Sequence, residues 1–343
     1  MATSSSPDST RHRHLVRLED LTPEQLEGVL ELALRTKGQP LDRARLAGRS
    51  LGLLFFRGSL RTRVSIAAAM QQLGGGAIEL TAESDAWQLE EREGSRMDGR
   101  APEHVKDAAR VLSSYVDALA VRPAPEGQSW SSDRADREIE AWKRWADVPV
   151  ISMESSLWHP LQALADLLTL RETLGELKGK RLCLSWVHSP RPATVAVAHS
   201  AVAMAAAQGM QVTVAHPPGF ELDSEVMTGA SEVARGRGGS LETSHDMASA
   251  MSGAHVVYAR SWQSIESYGN PTLGASRRSR ASDWRVDAKG MALTEDAWLM
   301  HAMPVRRNLE VSDEVLDGPR SLVYTQAENR LHSQRALLDH LLS

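Results

Sequence analysis

Short apolar runs alternate with helical segments along nearly the whole chain, and this alternation limits the fold more than any other feature. In the first half, runs typical of buried strands occur at residues 50–56, 77–80, 118–121 and 148–153. In the second half, such runs recur at residues 181–187, 211–216, 255–259 and 297–302. Strands separated by helices form parallel sheets with crossover helices, so we predict two parallel-sheet α/β domains.

Segments with helical periodicity lie between these runs. We predict a helix that begins at Pro23 and further helices at residues 59–73, 102–116, 133–145, 160–174, 193–208, 224–235, 245–252, 281–288 and 326–342. Two polar stretches, 83–99 and 263–282, interrupt the alternation, and long loops of this kind are usually functional or disordered. We expect residues 1–13 to be a disordered tail rather than a signal peptide, because they lack an apolar core.

Composition excludes several classes of protein. Cys183 is the single cysteine, so neither an intrachain disulfide nor a cysteine-based metal site can form, and we expect a cytoplasmic protein. The net charge of −5 argues against a general binder of nucleic acid or of anionic membranes. A small anionic substrate can still bind in a local basic pocket.

The strongest candidate for such a pocket follows the first strand. Ligands of parallel sheets bind at the carboxyl ends of the strands. There the chain reads Ser59-Leu60-Arg61-Thr62, and we predict a helix with Ser59 as its N-cap. Free backbone N–H groups, the helix dipole, two hydroxyls and a guanidinium suit an anion. The same pattern is also typical of an ordinary N-cap flanked by solvated arginines.

Further polar clusters stand at other strand and helix ends. Arg122 ends the strand at 118–121, and His159 precedes a helix on which Gln162 lies one turn later. His301 follows the last strand, and Arg330 lies near the start of the final helix. Alone, each cluster is equally typical of a solvated loop or a helix start.

Together these clusters resemble the carbamoyltransferase family. The resemblance rests on Ser-x-Arg-Thr-Arg at 59–63, the strand-end Arg122, and His-Pro-x-Gln-x-Leu-x-Asp-Leu-x-Thr at 159–169, in this order. Other motifs are similar to the branch that acts on N-acylated ornithine, namely Asp85-Ala86-Trp87, Met97-Asp98-Gly99, Glu103-His104, Tyr258-Ala259-Arg260-Ser261-Trp262, Arg306-Arg307-Asn308 and Ala327-Glu328-Asn329-Arg330.

The resemblance implies the aspartate/ornithine carbamoyltransferase fold, with a knot near residues 190–192. It implies a carbamoyl-phosphate-binding domain at 14–157 plus 322–343 and an acylornithine-binding domain at 158–321. The implied reaction moves the carbamoyl group of carbamoyl phosphate to the side-chain amine of an acylated ornithine, as in arginine biosynthesis. It requires no cofactor and no metal. We expect a homotrimer with shared active sites and no nucleic-acid or membrane partner.

The resemblance also implies roles for individual residues. In the family pattern, Arg122, His159 and Thr62 polarise the carbamoyl carbonyl, Gln162 holds the carbamoyl NH₂, and Trp87 reaches a neighbouring subunit. The implied carbamoyl-phosphate site comprises Ser59, Leu60, Arg61, Thr62, Trp87, Arg122, His159, Gln162, Met303 and Arg330. The implied acceptor site comprises Pro102, Glu154, Ala302, Met303 and, in the loop at 263–282, Arg277 or Arg278.

Pro102 bears on the acyl group. Enzymes of the branch that use N-acetylornithine resemble one another in having glutamate two residues before the histidine of this motif, whereas those for N-succinylornithine have proline. A glutamate would repel the succinyl carboxylate, so we expect N-succinylornithine, with N-acetylornithine as the alternative. Pro102 is also explained if it is simply the first residue of a helix.

Of three departures from the family pattern, two leave another class open. Ala302 replaces a common cysteine, Thr194 replaces an asparagine of the acceptor site, and Glu310 stands where the family carries a carboxylated lysine. The first two are compatible with a catalytically silent homologue that binds carbamoyl phosphate. Ornithine itself is disfavoured because the Asp-x-x-x-Ser-Met-Gly loop of that branch is absent.

Overall fold

The computed structural model describes residues 14–39, 42–81 and 87–343. The predicted tail at 1–13 and the motif residues Asp85 and Ala86 lie outside the described residues. The strands are β1 (Ser50–Phe55), β2 (Gly76–Thr81), β3 (Leu89–Glu90), β4 (Glu103–His104), β5 (Ala118–Arg122), β6 (Val150–Ser152), β7 (Arg181–Trp186), β8 (Gln211–Ala215), β9 (Ser240–Ser244), β10 (Val256–Arg260) and β11 (Trp298–Met300). The helices are α1 (Pro23–Thr36), α2 (Arg61–Gln72), α3 (Val105–Ser113), α4 (Trp130–Asp133), α5 (Arg137–Trp145), α6 (Pro160–Leu174), α7 (Ala196–Ala207), α8 (Ser224–Arg237), α9 (Met247–Met251), α10 (Pro271–Ser279), α11 (Ala288–Met291), α12 (Asp313–Leu316) and α13 (Val323–Leu342).

The strands form two parallel sheets, which confirms the predicted α/β class. The first sheet has the order β2-β1-β5-β6, and the second has the order β11-β10-β7-β8-β9. The central strands β1 and β7 are apolar and buried along almost their whole length, as strands covered on both faces are. The short strands β3 and β4 pair separately.

Two long helices connect the sheets. α6 is buried on every side from Pro160 to Leu170, as expected of a helix with apolar residues all round. α13 packs against α1, α2 and α6. Both helices begin near the carboxyl ends of the strands, so their first turns reach the region where the candidate residues meet. The domain boundaries at 157/158 and 321/322 and the knot stay predictions.

Several boundaries differ from the sequence prediction. The predicted helix at 281–288 is wrong, because Val286 pairs with Val311 in a parallel bridge and is fully buried. α10 lies within the stretch 263–282, where we expected a loop; Asn270 caps it and Pro271 begins it. β9 was missed because its sequence SLETS has no apolar run. None of the described helices is long and apolar enough to cross a lipid bilayer.

Candidate active site

The N-terminus of α2 faces the site without a side-chain cap. Leu60, not Ser59, is the N-cap residue, and among the described residues no side chain accepts a hydrogen bond from the first N–H groups of the helix. The prediction that Ser59 caps the helix is therefore wrong, because α2 begins at Arg61, one residue later than predicted. The uncapped N–H groups stay available to an anion, and the helix dipole favours one.

Three arginines that the sequence predicted for the site, Arg61, Arg122 and Arg330, lie close together beside this helix end and form an arginine cluster. Arg330 donates from Nη2 to Thr62 Oγ1 at 2.6 Å and from Nη1 to Gln162 Oε1 at 2.8 Å. Arg122 pairs with Glu154, with Nη2 and Oε2 separated by 2.5 Å. Arg61 has no carboxylate partner among the described ion pairs. The structure thus gathers residues from α2, β5, α6 and α13 at one point.

The electrostatics of this arginine cluster favour a bound anion. Burial, followed by repulsion from other arginines, lowers the pKa of Arg330 to about 10. Burial and repulsion from Arg260 also lower the pKa of Arg61, and burial lowers that of Arg122. All three stay charged at pH 7, and their Nε atoms have no partner within the described residues. A phosphate dianion would supply both hydrogen-bond acceptors and countercharge.

His159 is held as a neutral hydrogen-bond donor. Burial lowers the pKa of His159 well below its usual range, so the ring is uncharged at pH 7. Its Nδ1 accepts the backbone N–H of Gln162 at 3.3 Å, which places the ring proton on Nε2. That nitrogen lies 3.9 Å from Glu154 Oε2, too far for a hydrogen bond, so it can donate to an oxygen of a bound ligand.

Glu154 is the carboxylate at the centre of the cluster. Although burial opposes its ionisation, Arg57 and Arg122 hold the pKa of Glu154 well below its usual range. Arg57 Nη2 lies 3.3 Å from Glu154 Oε1, and the Thr194 hydroxyl donates to the same oxygen at 2.7 Å. Thr194 follows β7 and Glu154 follows β6, so this contact joins the carboxyl edges of the two sheets.

Sequence reasoning missed Arg57 and Arg260 as site residues. Arg260 is the last residue of β10, is 7% exposed, and is close enough to lower the pKa of Arg61. Its Nη1 lies 3.5 Å from the Met303 carbonyl. The rule that selected Arg122, an arginine at the end of a buried strand, would have selected Arg260. Arg57 follows β1 and gave no such signal.

The loop after β11 closes the second side of the site. Ala302 is buried, and Met303 is half-buried with φ at +53°. The backbone N–H of Met303 donates to His301 Nδ1 at 2.9 Å, so the neutral His301 ring carries its proton on Nε2. Glu310 Oε2 lies 3.2 Å from that nitrogen and accepts the Arg306 N–H at 3.0 Å. Glu310 thus supplies a buried negative charge that fixes this loop.

Other predicted residues lie away from the cluster within the single chain. The Trp87 side chain is 57% exposed and donates to Glu103 Oε2 at 2.8 Å. Pro102 is exposed and precedes β4, so it is not the first residue of a helix. Arg277 is bound to Glu266 at 2.5 Å and to the Gly219 carbonyl, whereas the guanidinium of Arg278 has no partner among the described side-chain contacts.

Comparison with known proteins agrees with this geometry. Residues 13–172 match the carbamoyl-phosphate-binding domain of aspartate/ornithine carbamoyltransferase, and residues 191–341 match its aspartate/ornithine-binding domain. The chain is 39% identical over 333 residues to the N-acetylornithine carbamoyltransferase of Xanthomonas campestris pv. campestris, covering 96% of this chain and 98% of that protein.

Two solved structures extend the comparison. An acetylornithine transcarbamylase complexed with acetylcitrulline is 39% identical, with a TM-score of 0.93 over 96% of this chain and 99% of that one. A mutant of N-acetyl-L-ornithine transcarbamylase with glutamate replaced by proline, complexed with carbamyl phosphate and N-succinyl-L-norvaline, is 39% identical, with a TM-score of 0.91 and the same coverage. The chain therefore belongs to the aspartate/ornithine carbamoyltransferase family.

Proposed function

We propose that the protein transfers a carbamoyl group from carbamoyl phosphate to the side-chain amine of an N-acylated ornithine. One observation carries this proposal. The start of α2, with its uncapped N–H groups, meets the arginine cluster and the neutral donor His159 at one point. The positive charges of the cluster are not fully balanced by carboxylates of the described residues. Their combination suits a dianionic phosphate joined to a polar carbonyl, whereas either part alone would suit many anions.

The contacts assign a task to each group. The phosphate binds the N–H groups at the start of α2 and Arg61. Thr62 Oγ1 accepts from Arg330, so its own proton stays free to donate to the ligand. Gln162 Oε1 accepts one hydrogen bond from Arg330 and keeps a second lone pair for the carbamoyl NH₂.

The chemistry is a nucleophilic substitution at the carbamoyl carbon. The neutral side-chain amine attacks that carbon, and the C–N bond forms as the carbonyl oxygen gains negative charge. Arg122, His159 Nε2 and Thr62 stabilise this oxygen, because they are fixed before the reaction and shielded from water. The C–O bond to phosphate then breaks, and the departing phosphate takes the proton from the amine.

N-acetylornithine is the acceptor that the relatives support best. The relative from X. campestris is named for it, and the similar structure with acetylcitrulline holds the corresponding product. On the acceptor side, Glu154, Arg260 and the Met303 loop offer one carboxylate, one cation and a backbone carbonyl. We propose that this end of the cluster binds the acylated amino-acid part.

N-succinylornithine is a second candidate, favoured by Pro102. In the similar mutant structure, an enzyme with proline in place of glutamate holds N-succinyl-L-norvaline. We propose that Pro102 has the same effect here, since a proline adds no charge that would repel the second carboxylate. Arg278, whose guanidinium is not bound to another side chain, is then a better partner for that carboxylate than Arg277.

Several exposed apolar side chains support a homotrimer with shared active sites. They lie near the start of α2, which we call the phosphate end of the site. Leu60 is 73% exposed, Val64 64%, Ile78 49% and Trp87 57%. Leu60 and Val64 lie four residues apart at the start of α2, and exposed apolar side chains that share one face mark interaction sites. We propose that they lie in a subunit interface that brings Trp87 to the phosphate site of the neighbouring chain.

The test is an assay of ureido product with carbamoyl phosphate and, separately, N-acetylornithine, N-succinylornithine and ornithine. Product with acetylornithine or succinylornithine supports the proposal and decides the acyl group. Product with ornithine alone contradicts the acceptor class. Binding of carbamoyl phosphate with no product from any acceptor would favour the silent homologue.

A further inference from the structure

Asp166 is a buried carboxylate beside the arginine cluster that the proposed reaction does not use. It lies one helical turn after Gln162 on α6 and is 1% exposed. Its oxygens accept hydrogen bonds from Gln162 Nε2 at 2.8 Å, Gln326 Nε2 at 2.6 Å and the Tyr258 hydroxyl at 2.9 Å. The donors come from α6, α13 and β10, so one carboxylate joins three elements.

The orientation of Gln326 shows that Asp166 acts as an acceptor. Gln326 Oε1 accepts the backbone N–H of His301 at 2.9 Å, so the other end of this carboxamide, Nε2, must face Asp166. The oxygen of Asp166 that accepts this bond is Oδ1, and Gln162 contacts the same oxygen. Gln162 must therefore also present its nitrogen to Asp166.

This constraint acts together with the donor Arg330 to decide which end of Gln162 faces the arginine cluster. With Nε2 held by Asp166, Oε1 is directed toward Arg330, which donates to it at 2.8 Å. The two ends of a carboxamide are nearly equal in size, so packing alone selects neither. If the Gln162 carboxamide were reversed, its N–H groups would point at Arg330 and at the carbamoyl NH₂. All of these groups are hydrogen-bond donors, so neither hydrogen bond could form.

We propose that Asp166 is a positioning residue that fixes the Gln162 carboxamide with its oxygen toward the carbamoyl NH₂. Through Gln162, Asp166 lets the site distinguish carbamoyl phosphate from inorganic phosphate, which has no NH₂ group to recognise. The inference rests on the proposed function, because it places the carbamoyl group against Gln162.

The energetics of Asp166 fit this role. Burial raises the pKa of Asp166 to about 6, even though hydrogen bonds from Gln162 and Gln326 oppose the shift. A carboxyl group whose pKa is raised by folding lowers stability once it is ionised at neutral pH. Retaining a charged group at a cost to stability is expected where the charge serves the site.

The test replaces Asp166 with alanine. In D166A no acceptor holds Gln162 Nε2, so kcat/KM for carbamoyl phosphate should fall about 100-fold, as expected when a substrate-contacting group is misplaced. D166N, whose amide oxygen can still accept from Gln162 and Gln326, should recover most of this loss. The dissociation constant for inorganic phosphate, measured by calorimetry, should change less than about threefold because the phosphate contacts are unchanged. Y258F is the matched control, since it removes one donor to Asp166 without touching Gln162 and should stay within about threefold of wild type.

A double-mutant cycle separates positioning from a general structural effect. In the Q162A background, D166A should cost little further activity, because there is no carboxamide left to orient. An equal loss in both backgrounds, or an equal loss of phosphate binding, would overturn the inference. If the wild type shows no turnover, the proposed function fails, and the affinities for carbamoyl phosphate and phosphate still test Asp166.

A neutron structure of the wild-type protein tests the orientation without any variant. The account predicts deuterons on the Gln162 atom that faces Asp166. An oxygen in that position, with a deuteron on the Asp166 carboxyl, would overturn the inference even if D166A does not fold.

Discussion

The proposed phosphate end and the proposed acceptor end of the site are built differently. At the proposed phosphate end, Arg61 and Thr62 lie on the first turn of a regular helix, and α13 holds Arg330 against them. At the proposed acceptor end, Pro102 and Arg278 lie on separate segments, and no hydrogen bond or ion pair between described side chains joins them to the cluster. A helix end with fixed cations suits a phosphate whatever the rest of the substrate, whereas the acyl group must be recognised by the segments that carry Pro102 and Arg278.

The largest effect should come from Arg61→Met. Removing this cation should lower kcat/KM for carbamoyl phosphate by about a thousandfold, the loss typical of a buried charge that pairs with a ligand. The ligand-free protein should not lose stability, because Arg61 has no carboxylate partner in the described part of the chain and its neighbour Arg260 repels it. Steady-state kinetics and thermal unfolding check the two parts.

Arg63→Met is the matched control on the same helix. Arg63 binds Glu79 and stacks on Phe55 instead of facing the cluster. It should therefore keep carbamoyl-phosphate kinetics near those of the wild type. Equal kinetic losses in R61M and R63M would contradict the distinction between a substrate-binding arginine and a structural one.

Glu154→Gln should have the next largest effect, on stability. It leaves Arg57 and Arg122 without their shared carboxylate, so the free energy of unfolding at pH 7 should fall by roughly 3 kcal/mol. The pKa of Glu154 is lower in the folded than in the unfolded state, so its contribution is complete above pH 4.5 and is lost as the pH falls further. The difference between wild type and E154Q should therefore be constant from pH 7 to about pH 5 and narrow below that.

Urea unfolding across this pH range checks the prediction, with Glu225→Gln as the control. Glu225 pairs with Arg134 but its side chain is 77% exposed, so E225Q should change the free energy of unfolding by less than about 0.5 kcal/mol. If the difference in unfolding free energy between wild type and E154Q grew larger below pH 5, the pKa of Glu154 could not be lower in the folded state than in the unfolded state.

The sequence predicted the phosphate end better than the acceptor end, for physical reasons. Residues at strand ends and helix starts, such as Arg122 and His159, are recognised from local sequence patterns. Because the carboxyl ends of parallel strands meet at one edge of the sheet, these residues can then be placed at a common site. Helix α10 was missed because the stretch 263–282 is polar and has no apolar helical pattern, although Asn270 as N-cap and Pro271 at the first helical position are a local start signal. The contact between Thr194 and Glu154 was also not predictable, since it depends on how the two sheets face one another.

Pro102→Glu tests the acceptor end and should have a smaller effect. The added carboxylate should raise the ratio of kcat/KM for N-acetylornithine over N-succinylornithine about tenfold, equal to about 1.4 kcal/mol of discrimination. Pro102→Ala, which adds no charge, should leave the ratio unchanged. An unchanged ratio in P102E would remove Pro102 as a determinant of the acyl group.

Tyr268→Phe should have the smallest effect. The Tyr268 hydroxyl donates to Asp133 across the two halves, beside a second contact in which Trp130 donates to Asp223 at 2.8 Å. Losing one of these hydrogen bonds should raise the acceptor KM about threefold and leave carbamoyl-phosphate binding unchanged. An equal loss of affinity for both substrates would show that the two ends of the site are not independent.

The most direct test of the assigned phosphate site is a crystal structure with carbamoyl phosphate and N-succinyl-L-norvaline, which lacks the attacking amine. The account predicts phosphate oxygens at the first N–H groups of α2 and at Arg61, with the carbonyl oxygen within hydrogen-bond distance of Arg122 and of His159 Nε2. Carbamoyl phosphate bound away from the start of α2, or a carbonyl oxygen out of reach of both residues, would contradict it.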